Sequence, residues 1–279
     1  MKCLPVGARA VALLAACLDW PAFAASGPPA SDFEPLFSAN GHIRSFAYLD
    51  QGSDNLIDTI IGVESELLRY KTSYLVFQFE NETDMGRGAQ PGMPFDPNRG
   101  RWTFALESRT ELDKYFLEVL FRHDCFHGID RYWPGEDYKM TSAGIGFGSR
   151  DYLQKYRYRD YADSAAAMEF PLRATYYLAP AIYVPKGEFW QRSPYRTRLE
   201  ANVRLDVLHW KRLGLGLELA NVFYYTNANE VQRSHLINLD FFLYGNSHAL
   251  LAFLGWWAYD DQLLRNRAHK VVAGLELSF

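Results

Sequence analysis

Cysteine is nearly missing from this chain. Of 279 residues three are cysteine, and two of those, Cys3 and Cys17, fall in a segment with the marks of an export signal. A disulfide framework is thereby excluded, because the remaining thiol, Cys125, has nothing to pair with after export. Long hydrophobic runs are missing as well. Beyond the N-terminal segment no stretch reaches the roughly 18 apolar residues that a membrane helix needs. Neither sign of charge dominates: 29 Lys and Arg stand against 33 Asp and Glu, a net charge of −4. That leaves no electrostatic footprint for nucleic acid. What the chain has in excess is aromatic side chains, with 18 Tyr, 19 Phe and 7 Trp making up 16% of it. Amphipathic rings in that number suit a lipid–water boundary.

The N-terminus reads as an export signal. Lys2 and Arg9 are basic, residues 10–18 (AVALLAACL) are apolar, and residues 22–24 (AFA) supply small side chains for cleavage before Ala25. A second processing route stays open, because residues 14–17 (LAAC) have the form of a lipobox that would make Cys17 a lipidated first residue. The expected organisation is a signal peptide over 1–24, a flexible lead-in over 25–39 rich in Pro, Ser and Ala, and a single β domain over 40–279.

From about residue 40 onward the hydrophobic period is two. In 198–208 (RLEANVRLDVL), Leu199, Ala201, Val203, Leu205 and Val207 alternate with Arg198, Glu200, Asn202, Arg204 and Asp206. Alternate side chains of a strand point to opposite faces, so this is a ribbon with one greasy and one ionic side. The same pattern recurs in 115–122 and 270–279. Weaker versions appear at 42–49, 61–67, 74–80, 102–109, 139–147, 168–178, 213–225, 236–244 and 248–259. About twelve strands follow, each near the ~9–11 residues a tilted strand needs to cross the hydrocarbon layer. Tight links at 70–72, 110–114, 210–213 and 245–247 alternate with long polar ones at 81–100, 123–138 and 179–196, as in a transmembrane antiparallel barrel. Residues 150–165 break that alternation.

A secreted sandwich also alternates, with its apolar faces turned inward. Two features favour the barrel. Charges sit deep in mid-strand, and aromatics ring the strand ends: Tyr70, Tyr74, Trp102, Tyr115, Tyr176, Trp210, Tyr224, Trp257 and Tyr259. The last strand, HKVVAGLELSF, alternates and ends on Phe279. In this it resembles the C-terminal insertion signal of Gram-negative outer-membrane β-barrels. The resemblance implies an outer-membrane location, contact with lipid and lipopolysaccharide, and recognition of the Phe279 strand by the barrel-assembly machinery. It is similar in size to barrels that include phospholipase-like and lipid A-modifying enzymes as well as narrow solute channels, and it specifies no activity.

Three functions compete. In the first, a narrow channel or binding barrel for small polar solutes, the lumen is lined by Glu107, Arg109, Glu118, Arg122, Arg173, Arg204, Asp206, Glu218 and Asp240, with Glu64, Glu66, Glu80 and Arg198 beside them. In the second, a lipid-modifying hydrolase, the catalytic groups are His123, Cys125, His127 and Asp130. Strand parity places the first three on the outward face just beyond the apolar band, and imidazole, thiol and carboxylate suit either acyl transfer or metal binding. In the third, a scaffold, the Tyr- and Arg-rich 150–165 segment docks periplasmic partners. No cofactor motif is present: 144–148 (GIGFG) reads as a strand with small inward positions and not as a phosphate loop. A divalent cation gathered by Asp84, Asp96, Asp130, Glu136 and Asp137 is the one inorganic partner the loops suggest.

Overall fold

The computed structural model describes residues 33–49, 55–86, 96–128, 138–153, 168–170, 172–184, 193–245, 248–261 and 267–279. The proposed signal peptide therefore lies outside the described residues. The strands are β1 (Phe33–Tyr48), β2 (Asn55–Tyr70), β3 (Ser73–Gly86), β4 (Asp96–Glu111), β5 (Tyr115–Gly128) and β6 (Tyr138–Ser149). After a single helical turn, α1 (Arg150–Leu153), come β7 (Met168–Glu169), β8 (Arg173–Tyr183), β9 (Tyr195–Trp210), β10 (Leu213–Thr226), β11 (Val231–Tyr244), β12 (Ala249–Asp260) and β13 (Val271–Ser278). Each pairs antiparallel with its neighbours, and β13 meets β1, so the sheet closes on itself. The short β7 lies along the same edge of β9 that β8 continues, Met168 opposite Trp210 and Arg173 opposite Asp206. The two pieces share one wall position, interrupted at Leu172, whose φ is 42°. Thirteen strands thus build a twelve-position barrel.

Short turns gather at one end. The links between β2 and β3 and between β9 and β10 are two residues long, and each opens on a lysine in the left-handed region, Lys71 at φ 56° and Lys211 at φ 54°. A two-residue hairpin requires a positive φ to match the twist of its strands.

The two faces are inverted relative to a soluble sandwich. Leu117, Val119, Phe121, Ile145, Leu178, Phe241 and Leu275 are exposed, with Val119 at 62%. Their alternates Glu107, Glu118, Arg204, Glu218, Asp240 and Glu276 are buried. A closed wall that buries its charges and exposes a continuous apolar belt is stable only with hydrocarbon around it. The fold is a transmembrane antiparallel β-barrel.

The strands are longer than their alternation suggests. Residues 33–39, read from sequence as lead-in, belong to β1 and pair with β2. Residues 81–86, 96–100 and 123–128, read as loop, extend β3, β4 and β5. Outside the hydrocarbon the outward face has no need to be apolar, so period two fades while the hydrogen-bond ladder continues. Two aromatics assigned to the outer girdle turn inward instead. Tyr224 is buried beside Tyr183 and Tyr195, and its neighbour Tyr225 is the exposed one. Trp257 is buried while Trp256 and Tyr259 face out. A bulge at Ala258, where Tyr259 pairs with His235 and Trp257 with Leu236, reverses the parity.

The lumen is largely filled. Phe46, Leu236, Phe242, Tyr244, Leu251, Phe253, Trp257 and Val272 form an apolar cluster along its inner wall. Cation–π contacts join this sector to the ionic one: Arg44 lies 3.9 Å over the Phe253 ring and Arg204 4.4 Å over Phe242.

Candidate functional site

Between these packed regions lies a chamber of about 480 Å³, within the range usual for small-molecule sites. Glu118, Tyr177 and Tyr152 line it toward the short-turn end, and Glu118 packs over the glycines of 144–148. Gly146 and Gly148 face inward, and the space a Cβ would take at each is filled by Glu118 and by the Phe116 ring respectively. Tyr177 donates to Glu118 and is stacked between Phe116, at 6.0 Å, and Tyr152 of α1, at 5.3 Å. Asn202 Nδ2 donates to the Tyr152 hydroxyl at 3.0 Å. Arg173 of β8 pairs with Asp151, and Arg150 Nε with Glu111 of β4 at 3.3 Å, so α1 is tied to the wall at the short-turn end. Tyr152 and Leu153 line the chamber. Of the segment suggested as a docking patch, Tyr152 and Leu153 thus turn inward while Arg150 stays exposed, and 154–165 lies outside the described residues.

Two ionic webs occupy the β4–β5 side of the wall. In one, Arg109 reaches Glu107 at 2.7 Å, Glu64 at 3.2 Å and Glu118 at 3.6 Å, while Gln78 Nε2 donates to Glu64 at 2.9 Å. In the other, the buried Asp124 accepts from Arg101 Nη2 at 3.1 Å, Arg122 Nη2 at 3.0 Å and Thr103 Oγ1 at 2.7 Å. Carboxylates this deep persist because each lies against a guanidinium and accepts hydrogen bonds. Arg198 and Glu200 of β9 and Glu80 of β3 complete the charged lining.

A smaller cavity of about 180 Å³ shares Glu80, Arg101, Leu236 and Trp257 with the chamber and ends on Arg267. Arg267 belongs to the β12–β13 connection and is 1% exposed. Its Nη2 contacts Asp58, Glu82 at 2.5 Å and Asp84 at 3.0 Å, and its Nε donates to the Tyr48 hydroxyl at 2.7 Å. Its guanidinium carbon lies 5.4 Å from the Trp257 ring and 5.6 Å from Phe46. Burial works against its charge, and Asp58 and Glu82, then Tyr48 and Asp84, overcome it, holding its pKa well above the ordinary value. Asp58, Glu82 and Asp84 are spaced to hold a metal ion, but the chain supplies the positive charge itself. Asp84, read as a collector of divalent cations, is bound by Arg267 and Arg99. Asp130, Glu136 and Asp137 lie outside the described residues.

Of the sequence-predicted lumen residues, Glu107, Arg109, Glu118 and Arg122 meet in the chamber. Arg204, Asp206, Glu218 and Asp240 are buried elsewhere on the inner wall, with Arg204 Nε 3.2 Å from Asp206. Arg173 stands apart, exposed at the rim. On the outer face, His123 Nε2 lies 3.0 Å from Cys125 Sγ, and His123 Nδ1 lies 2.8 Å from Thr141 Oγ1. His127 meets the edge of Trp102 at 5.0 Å. Asp130 falls outside the described residues, so the fourth member of that group is not placed. Asp58, Arg101, Asp124, Tyr177 and Arg267 escaped sequence reading. Asp124 was within reach, since it continues the inward parity of Glu118, Leu120 and Arg122. Arg267 sits in a connection with no periodic signal at all.

No protein-family model matches the chain, and neither does any curated protein. Among solved structures it is similar to LpxR from Salmonella typhimurium, with a TM-score of 0.47 and 8% identity over 86% of this chain and 99% of that one. It is also similar to a bacterial polysaccharide outer membrane secretin, with a TM-score of 0.41 and 7% identity over 88% and 99%. A third is OmpT, an outer membrane protein of Vibrio cholerae, with a TM-score of 0.39 and 8% identity over 87% and 98%. These likenesses are to outer-membrane proteins, and none carries a residue role or an activity to this chain.

Proposed function

We propose that this protein is a bacterial outer-membrane barrel that takes small polar solutes into its lumen. The observation that carries the reading is the chamber itself: a solute-sized space walled by charged and hydrogen-bonding groups, inside a barrel whose outer belt is apolar. Tyr152 and Leu153 stand at its short-turn side, and Arg267 closes the neighbouring cavity. That arrangement favours an occluded binding barrel over a wide pore, because any solute passing must move side chains that are tied down. Long loops face the exterior in this reading, and Phe279, exposed beside the barrel seam, serves the assembly machinery. The test is the refolded protein in liposomes and planar bilayers. Saturable uptake of small polar solutes, or small unitary conductance steps, is expected. A barrel that folds yet neither binds nor passes any such solute overturns the proposal.

A second reading rests on the His123–Cys125 contact. A thiol beside an imidazole that is itself held by a third group is the arrangement of an activated nucleophile. Here it lies on the outward face near the loop end of β5, where lipid ester bonds come within reach. Release of fatty acid from outer-leaflet lipid, abolished in both His123→Ala and Cys125→Ser, supports it. Unchanged release in either variant removes it.

A further inference from the structure

Two ionic side chains of the chamber are not spent on the webs around them. Arg198 is 3% exposed, and its Nε and Nη2 have no hydrogen-bond partner among the described residues. The carboxylate in ion-pair range is Glu200, 3.9 Å from Nη2, and the other oxygen of Glu200 already accepts from Asn202 Nδ2 at 2.9 Å. Arg101 and Arg122, on the same chamber, both hold Asp124. On the opposite sign, Glu80 lines the chamber without a hydrogen bond or ion pair to another described residue. Arg198 projects from β9 and Glu80 from β3, five places apart around a wall of twelve, so they approach from nearly opposite sides.

A buried guanidinium with idle donors is costly, because the water it gave up has not been replaced. Such a group is kept where something else supplies the acceptor. The formal charge sets the rest of the chemistry. Arg101, Arg122 and Arg198 are balanced by Asp124, Glu200 and Glu80, while the Arg109 web nearer the short-turn end carries an excess of carboxylates, Glu64, Glu107 and Glu118. A dianion would set its second charge against carboxylates, and a dication would meet Arg198.

The geometry points to a dipolar guest: a small zwitterion whose carboxylate or phosphate oxygens accept from Arg198 and whose ammonium faces Glu80. This rests on the solute-barrel reading above and names the class of solute.

The test uses the full-length folded barrel in lipid nanodiscs, titrated calorimetrically at low salt with γ-aminobutyrate, glycerophosphoethanolamine, glutarate and cadaverine. The zwitterions are expected to bind at least about tenfold more tightly than glutarate or cadaverine, the size of one charge-assisted hydrogen bond. The two zwitterions separate the carboxylate from the phosphate guest. Arg198→Gln should lower zwitterion affinity about tenfold, and Glu80→Gln should erase the preference over glutarate. The second variant alters an unpaired, half-buried side chain and keeps the test available if the first fails to fold. Glutarate or cadaverine binding as tightly as the zwitterions, or wild-type affinities in the folded variants, overturns the inference. Liposome swelling with erythritol separates the two levels. Erythritol entry, or binding of the four solutes, without zwitterion preference leaves the solute barrel standing and this inference refuted, and a barrel that neither admits erythritol nor binds any of the four refutes the two together.

Discussion

Replacing Arg267 by methionine isolates the largest concentration of buried charge in the described barrel. The Asp58, Glu82 and Asp84 carboxylates converge on one guanidinium, with Arg99 beside Asp84 and Arg101 3.5 Å from Glu82. With Arg267 present three negative charges meet three positive ones. Methionine preserves much of the side chain's volume but leaves Glu82 to Arg101 and Asp84 to Arg99. Asp58, fully buried, is left with the Tyr48 hydroxyl. Breaking a buried ion pair from one side costs about 3–5 kcal/mol, roughly two to three and a half powers of ten in the folding equilibrium. The assay is urea unfolding of the barrel in lipid vesicles, followed by the mobility difference between heated and unheated samples on a gel. Arg267→Met should lower the unfolding free energy by that amount. Adding Asp58→Asn should restore the greater part of it, because the orphaned charge is then gone. An Arg267→Met barrel within about 1 kcal/mol of the wild type would refute the reasoning, as would a double variant no better than the single one.

Three further outcomes follow from the same geometry. Val119→Arg puts a charge in the middle of the exposed belt and should destabilise the barrel in vesicles by about 2–4 kcal/mol, read as a lower urea midpoint; a neutral result would mean that this face does not touch lipid. Gly146→Val presses a branched side chain onto Glu118 and should cost about 1–3 kcal/mol by overpacking, measured in the same titration, whereas Ile145→Val on the outward side should cost far less. Tyr152→Ala removes the ring stacked on Tyr177 and should raise the solute entry rate several-fold in liposome swelling with little change in the urea midpoint. Unaltered entry would show that α1 does not limit passage.

Much of the wall was legible from the chain alone. Strand parity around Val119, Val203 and Leu275 and the inward glycines of 144–148 were read correctly because each depends on a residue's own strand. The places where reading failed share a cause. The loop assignments at 81–100 and 123–138 failed because outside hydrocarbon nothing forces apolar residues onto the outer face. Trp257 keeps the inward parity of Leu251 and Phe253, and it does not share a face with Tyr259 because the bulge at Ala258 reverses the parity between them.

By itself, then, the sequence determined a ribbon of alternating faces, its length in strands and which face meets lipid, since period two is a local property of extended backbone. Only the tertiary structure decided what the inward groups do for one another. Arg267 and Asp58 are 209 positions apart, and Glu80 and Arg198 meet the same chamber from distant strands. Pairing of that kind depends on how a closed barrel curves its walls toward a common axis, a distance that no local pattern encodes.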